Sequence, residues 1–237
     1  MIRKEVHKNV AIITLDTPPV NALDTATFNE FDRMLLELQA SSVEAMVLTG
    51  AGKCFCAGLD LKAMRTMNQE ARVELVEALN RCFERLYGFP RPVIAAVNGH
   101  AIAGGLVLTL AADHRICVDA PIKMGLAEVR VGIPFPMGAL AIVQNELDPS
   151  GMRHLALLGN TIDTQTARRF GVLDELVDAD RLLPRALEIA DEVAQLPDLA
   201  FLTIKKHMRQ TALQRIRDVL NSGNDPVFEA WGREFPR

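Results

Sequence analysis

The feature that most constrains this chain is a strand that breaks on glycines and restarts as a buried helix. Pro92-Val93-Ile94-Ala95-Ala96-Val97 is an apolar, β-prone run. It passes through Asn98-Gly99-His100-Ala101-Ile102-Ala103-Gly104-Gly105 into Leu106-Val107-Leu108-Thr109-Leu110 and then Ala111-Ala112-Asp113. That order predicts a strand, a tight turn and a helix opening near the two glycines. A helix start of this kind offers backbone N–H groups with no side chain in the way. It suits a phosphate, or an oxygen that becomes negative during a reaction. A Gly-Gly pair by itself reads first as close backbone packing. Chemistry would need a second donor, an acid or base, and a pocket.

The rest of the chain limits what those could be. With 237 residues it can bury a sizeable core, as one α/β-sized domain or two smaller ones. A net charge of −4, few aromatics and no basic run argue against nucleic acid as the main partner. The N-terminus, Met1-Ile2-Arg3-Lys4-Glu5-Val6-His7-Lys8, puts charges where a signal peptide needs an apolar stretch. The longest apolar run, 101–112, is too short and glycine-rich to span a bilayer. The expectation is a cytoplasmic protein with no membrane partner. Cys54, Cys56, Cys82 and Cys117 read as buried or half-buried reduced thiols, since Cys54 and Cys56 lack C-x-x-C spacing. The five histidines are scattered, so no metal site is expected.

In chain order, strands are expected at 9–15, 43–49, 92–97, 114–118, 122–126 and 173–177. Helices are expected at 25–39 capped by Asp24, from Asn68 to Leu86, at 136–144, from a Ser150 cap to Leu158, and at 163–170 stopped by Gly171. The loop Lys53-Cys54-Phe55-Cys56-Ala57-Gly58-Leu59-Asp60-Leu61-Lys62 follows an apolar strand. Its small residues suit backbone contact with a ligand. Beyond Asp180 the chain turns helical, at 181–195 and 199–220. We divide it into 1–180, an α/β core carrying the site, and 181–237, a helical region that packs on the core or on a neighbouring subunit.

Several of these segments together resemble the crotonase (enoyl-CoA hydratase/isomerase) family. They are Cys54-Phe55-Cys56-Ala57-Gly58-Leu59-Asp60-Leu61, Asn98-Gly99-His100-Ala101-Ile102-Ala103-Gly104-Gly105 with Asp113 beyond, Asn21-Ala22-Leu23, and Gly125-Leu126-Ala127-Glu128-Val129-Arg130-Val131-Gly132. The run Ala167 to Gly171 before a strand fits the same pattern, and the likeness covers nearly the whole chain. It implies a spiral of ββα units with a helical C-terminal trimerisation region, assembled as a homotrimer or dimer of trimers. It also implies a role in fatty-acid metabolism and an acyl-CoA thioester as ligand, with coenzyme A part of the substrate and no separate cofactor. The implied oxyanion hole is the N–H of Leu59 and the N–H of Gly104. The implied substrate contacts are Ala22, Ala57, Gly58, Leu59, Asp60, Leu61, Gly104 and Ala127. Two preset donors stabilise an enolate oxygen more than a ground-state carbonyl, and losing one typically costs about 3 kcal/mol.

Side chains select the reaction. Hydratases of the family hold a water between two glutamates. Val107 stands at the position matching the first, and Glu128 at the second. A single glutamate resembles the Δ3,Δ2-enoyl-CoA isomerases of the mitochondrial type, in which one carboxylate carries a proton from C2 to C4. A dry pocket favours that shuttle. Outside this pattern, Glu128 reads first as an ion-pair partner for Arg130 or as a loop cap. Asp60 reads as a loop cap and Asp113 as a helix-end residue. His100 reads as a packing or backbone-bonding side chain, and Lys62 as a CoA-phosphate contact or a solvated lysine. Met124, Phe135 and Met137 read as acyl-pocket or core residues. The alternatives are a non-catalytic acyl-CoA-binding protein and a hydratase, thioesterase or decarboxylase. Relatives usually continue into another helix where this chain stops at Glu234-Phe235-Pro236-Arg237.

Overall fold

The structure is a computed structural model, and it describes residues 1–231. The Glu234–Arg237 stretch noted above lies outside the described residues. The chain opens with a hairpin, β1 (Ile2–His7) and β2 (Val10–Leu15), followed by α1 (Thr25–Gln39). Asp24 caps α1 by accepting from the Thr27 N–H at 2.8 Å, as its type and place before the apolar stripe predict. β1 was not expected. Only Ile2 of its six residues is buried, so an exposed edge strand carries no alternating pattern.

From β3 onward the chain repeats one path. β3 (Ala45–Gly50) is followed by β4 (Cys54–Cys56), α2 (Leu61–Thr66) and α3 (Gln69–Tyr87). β5 (Val93–Val97) is followed by β6 (His100–Ile102) and α4 (Gly104–Leu110). β7 (His114–Val118) is followed by β8 (Met124–Gly125), a 3₁₀ turn at Glu128–Val131 and α5 (Met137–Glu146). Each round gives one strand to a large sheet, one to a small sheet, and then a helix. The expected spiral of ββα units is the architecture found.

The large sheet has the order β1-β2-β3-β5-β7-β10, with β10 at Glu175–Val177. All its pairings beyond the β1–β2 hairpin are parallel. The small sheet runs β4-β6-β8-β9, with β9 at Thr161–Ile162. β4 and β6 lie where the sequence suggested only loop and turn. Three-residue strands are too short for a period of two to register.

Asp148, not Ser150, caps the next helical stretch by accepting from Gly151 N–H, with Pro149 at the first helical position. That stretch, α6 (Pro149–Gly151), runs into a π-helical turn at Met152–Leu157. After α7 (Thr164–Arg169) and β10, α8 (Leu182–Ala194) lies on the large sheet. Leu182, Ala186, Ile189 and Ala190 there meet Val10, Val47, Ile94 and Ile116 in a separate apolar cluster. α9 (Asp198–Ser222) packs on α3 and α5, and α10 (Val227–Trp231) ends the described chain. No helix among the described residues is long and apolar enough to cross a membrane.

Asp113 does more than end α4. It accepts from Val93 N–H at 2.8 Å and pairs with Lys205 at 2.6 Å and Arg209 at 3.0 Å. Lys205 also donates to Arg91 O, and Arg209 donates to Tyr87 O and Ala112 O. Both cations are buried, and desolvation lowers the Lys205 pKa to about 8 despite the Asp113 carboxylate. This ion cluster pins α9 to the end of the sheet.

Candidate active site

The two halves of the site are held apart by nothing but backbone. A Cβ on Gly58 would stand 2.8 Å from Ala103 Cβ and 2.9 Å from Gly104 N, and Gly58 sits at φ +81°. Only glycine satisfies both the left-handed backbone and the close approach. A Cβ on Gly105 would meet Cys56 O at 2.1 Å, and one on Gly99 would meet Lys53 O at 2.2 Å. The glycines therefore serve close packing and, through it, set the 57–59 loop against the start of α4.

That packing leaves two donors free. Leu23 bridges Leu59 in parallel: Leu23 N–H donates to Gly58 O at 2.8 Å, and Asp60 N–H donates to Leu23 O at 3.0 Å. This pairing turns the Leu59 N–H away from Leu23. Gly104 is the first residue of α4, so its N–H has no acceptor within the helix. Among the described residues neither N–H has a protein acceptor. Ala103, which precedes Gly104, sits at φ +50°, ψ −121°, a strained conformation for a residue with a Cβ. Its N–H donates to Gly125 O at 2.8 Å, tying the turn to β8.

Leu59 and Gly104 both line one cavity, together with Ala57, Leu61, Ala127 and Glu128. The rest of the lining is apolar. Leu79 and Phe83 come from α3, Ile133, Pro134 and Pro136 from the segment before α5, Ala139 from α5, and Trp231 from α10. Glu128 is the only ionisable group among the described lining residues.

Glu128 begins the 3₁₀ turn, and its Oε2 is buried with no hydrogen-bond partner. Burial raises its pKa from 4.5 to about 7, and its own backbone N–H offsets this only in part. The alternative pairing with Arg130 does not occur. Arg130 instead donates to Gly159 O and, at 2.7 Å, to Asn160 Oδ1. A carboxyl with Oε2 unpartnered in an apolar cavity has a pKa suited to taking and returning a proton near neutral pH.

Other expected contacts fall differently. Ala22, Gly58 and Asp60 do not line the cavity. Ala22 lies in the segment that braces it: Asn21 Nδ2 donates to Cys54 O at 2.7 Å, and Ala57 N–H donates to Val20 O. Asp60 turns its side chain to cap α2, accepting from the N–H groups of Lys62 and Ala63. His100 Nδ1 accepts from Lys123 N–H at 2.9 Å, the backbone role expected of it. Lys62 is exposed, Met124 is core, and Phe135 lines a neighbouring cavity. Val107 is fully buried in the core and does not face the cavity. Leu79 and Phe83 were legible only as the inward stripe of a helix. Nothing local marked Trp231 or Ile133 as site residues.

A parallel β spiral that brings a carboxylate and two free amides to one apolar cavity is the arrangement the resemblance to the crotonase family leads one to expect. The chain belongs to the enoyl-CoA hydratase/isomerase family, whose model matches residues 5–229. It is thus an acyl-CoA enzyme of the crotonase family. It is 32% identical over 206 residues to the carnitinyl-CoA dehydratase of Proteus mirabilis, covering 86% of this chain and 78% of that one. Its fold is similar to that of human mitochondrial Δ3,Δ2-enoyl-CoA isomerase, with a TM-score of 0.90, 26% identity, and coverage of 98% and 90%. It is also similar to a Mycobacterium tuberculosis protein described both as an enoyl-CoA isomerase and as a probable enoyl-CoA hydratase, with a TM-score of 0.86, 30% identity, and coverage of 94% and 96% in the former structure.

Proposed function

We propose that this protein moves a double bond from C3 to C2 of an enoyl-CoA, with Glu128 as the proton carrier. The observation that carries the reading is the single carboxylate, its Oε2 unpartnered, in the cavity shared with the Leu59 and Gly104 amides. Glu128, ionised, takes a proton from C2. The electrons of that C–H bond flow toward the thioester carbonyl, whose oxygen gains negative charge between the two N–H groups. The extended dienolate then takes the proton from Glu128 at C4. The double bond ends between C2 and C3, and the carboxylate is regenerated. Apolar walls keep water from the dienolate and raise the carboxyl pKa toward that of the carbon acid, which helps both transfers. Ala22 and the 57–61 loop would face the CoA moiety, as the family resemblance implies.

A second reading is hydration or dehydration, favoured by the name of the Proteus relative. Against it, no second ionisable group of the described residues lines the cavity to hold a water opposite Glu128. Pure binding without turnover is the third reading, and the raised Glu128 pKa speaks against it. The test is a panel of 3-enoyl- and 2-enoyl-CoA substrates against the native chain and Glu128→Gln. Isomerisation should dominate and should fall by at least about a hundredfold in the variant. Faster hydration of crotonyl-CoA than isomerisation of any 3-enoyl-CoA would refute it.

We further propose a homotrimer or dimer of trimers, cytoplasmic and acting in fatty-acid metabolism, with 181–237 as the oligomerisation region. Leu199, Ile204 and Met208 on α9 are 80%, 59% and 71% exposed, whereas Leu213 and Ile216 of the same helix are buried in the protein's own core. Three large apolar side chains left in water on one helix support a buried interface there.

A further inference from the structure

The cavity containing Glu128 has a half-exposed mouth and a closed end. Leu59, Leu61, Gly104 and Ala127 are half-buried, and Val131 and Pro134 are exposed, so that side opens outward. Leu79, Phe83, Ala139 and Trp231 are buried and form the closed end. The enclosed volume is about 110 Å³. Sites for drug-sized ligands begin at roughly 300 Å³. The space here is about a third of that, room for a short chain.

A much larger apolar cavity of about 710 Å³ lies alongside, lined by Phe135, Leu140, Met152 and Val227 among others. Ile133 and Pro134 line both. They form the wall between the space that holds the base and the space that would take a long chain. Trp231 and Ile133 are two of the buried side chains that bound this space. Trp231, 2% exposed, lines this space and donates its Nε1–H to Pro134 O at 3.3 Å. Ile133, 7% exposed, blocks the side.

We propose that the site takes short acyl groups, and that Trp231 and Ile133 set this limit. The proposal rests on the acyl-CoA reading of the same cavity. A longer acyl chain must displace packed side chains, and forcing extra methylenes into a packed space costs binding rather than adding to it.

Calorimetric titration with butyryl-CoA and decanoyl-CoA tests this without relying on turnover. In the native chain butyryl-CoA should bind at least about tenfold more tightly, the low end for forced overpacking. In Trp231→Ala and in Ile133→Ala, decanoyl-CoA should gain at least about tenfold relative to butyryl-CoA. Ile133→Ala carries the test if Trp231→Ala fails to fold. Affinity that rises from butyryl- to decanoyl-CoA in the native chain overturns the inference and leaves the acyl-CoA reading standing. An unchanged ratio in the folded variants overturns the assignment of the limit to these side chains. Binding of neither ligand overturns the acyl-CoA reading and the inference with it.

Discussion

Replacing Glu128 with glutamine should make the protein more stable at pH 8 than the native chain, and the gain should vanish in acid. The reason is the site itself. On folding, burial raises the carboxyl pKa from an ordinary 4.5 to about 7. Between those values the native state holds a proton that the unfolded chain has released. Stability therefore falls as pH rises through this window, the opposite of a salt-bridged carboxylate. At about 1.4 kcal/mol for each pH unit of the window, ionised Glu128 costs the fold about 3 kcal/mol above pH 7. Glutamine keeps the shape and carries no charge, so it removes that cost. It also leaves a polar amide in the same apolar surroundings, a penalty that does not change with pH. The informative quantity is thus the difference between native and variant as a function of pH. Thermal melts at pH 5 and pH 8 measure it. Because the unfolded carboxyl is already mostly ionised at pH 5, about 2.5 kcal/mol of this cost falls between the two conditions, so the variant should gain roughly 5–10 °C on the native chain, at about 2–4 °C per kcal/mol for a chain of this size. A native-to-variant difference that is the same at both pH values would show that Glu128 is solvated, and would remove the physical basis for its role as a base.

The same ionisation should appear in turnover. kcat/KM for a 3-enoyl-CoA should rise with pH and level off above an apparent pKa of about 7, the value burial imposes on Glu128, and a flat profile from pH 5 to 9 would contradict this. Gly104→Pro deletes one of the free N–H groups at the first position of α4. Turnover should drop by about two to three orders of magnitude with the fold kept, as judged by circular dichroism beside the assay. Asp113→Ala should destabilise by about 3–5 kcal/mol in denaturant titrations, because it leaves Lys205 and Arg209 buried without their carboxylate. Sedimentation should show trimers or hexamers, and a stable monomer at micromolar concentration would count against the role proposed for the exposed face of α9.

Local chemistry determined much of this protein. The apolar periods of α1 and α3, the caps at Asp24 and Asn68, and the β-branched run of β5 are legible because each depends on residues within a few positions of one another. The glycines at 58, 104 and 105 were legible for the same reason, and so was Glu128 once set within the family pattern. The elements that were missed are those whose stability comes from partners far along the chain. β4 and β6 are strands only because they lie against each other across more than forty positions. The Leu59 N–H is free only because Leu23 occupies its neighbours on either side. Glu128 has a raised pKa only because walls drawn from α3, α5 and α10 exclude water from it. Residue type and spacing can nominate a base and two amides. Desolvation, and the closure of the pocket by Trp231 and Ile133, are properties of packing density. They exist only once distant segments share one volume.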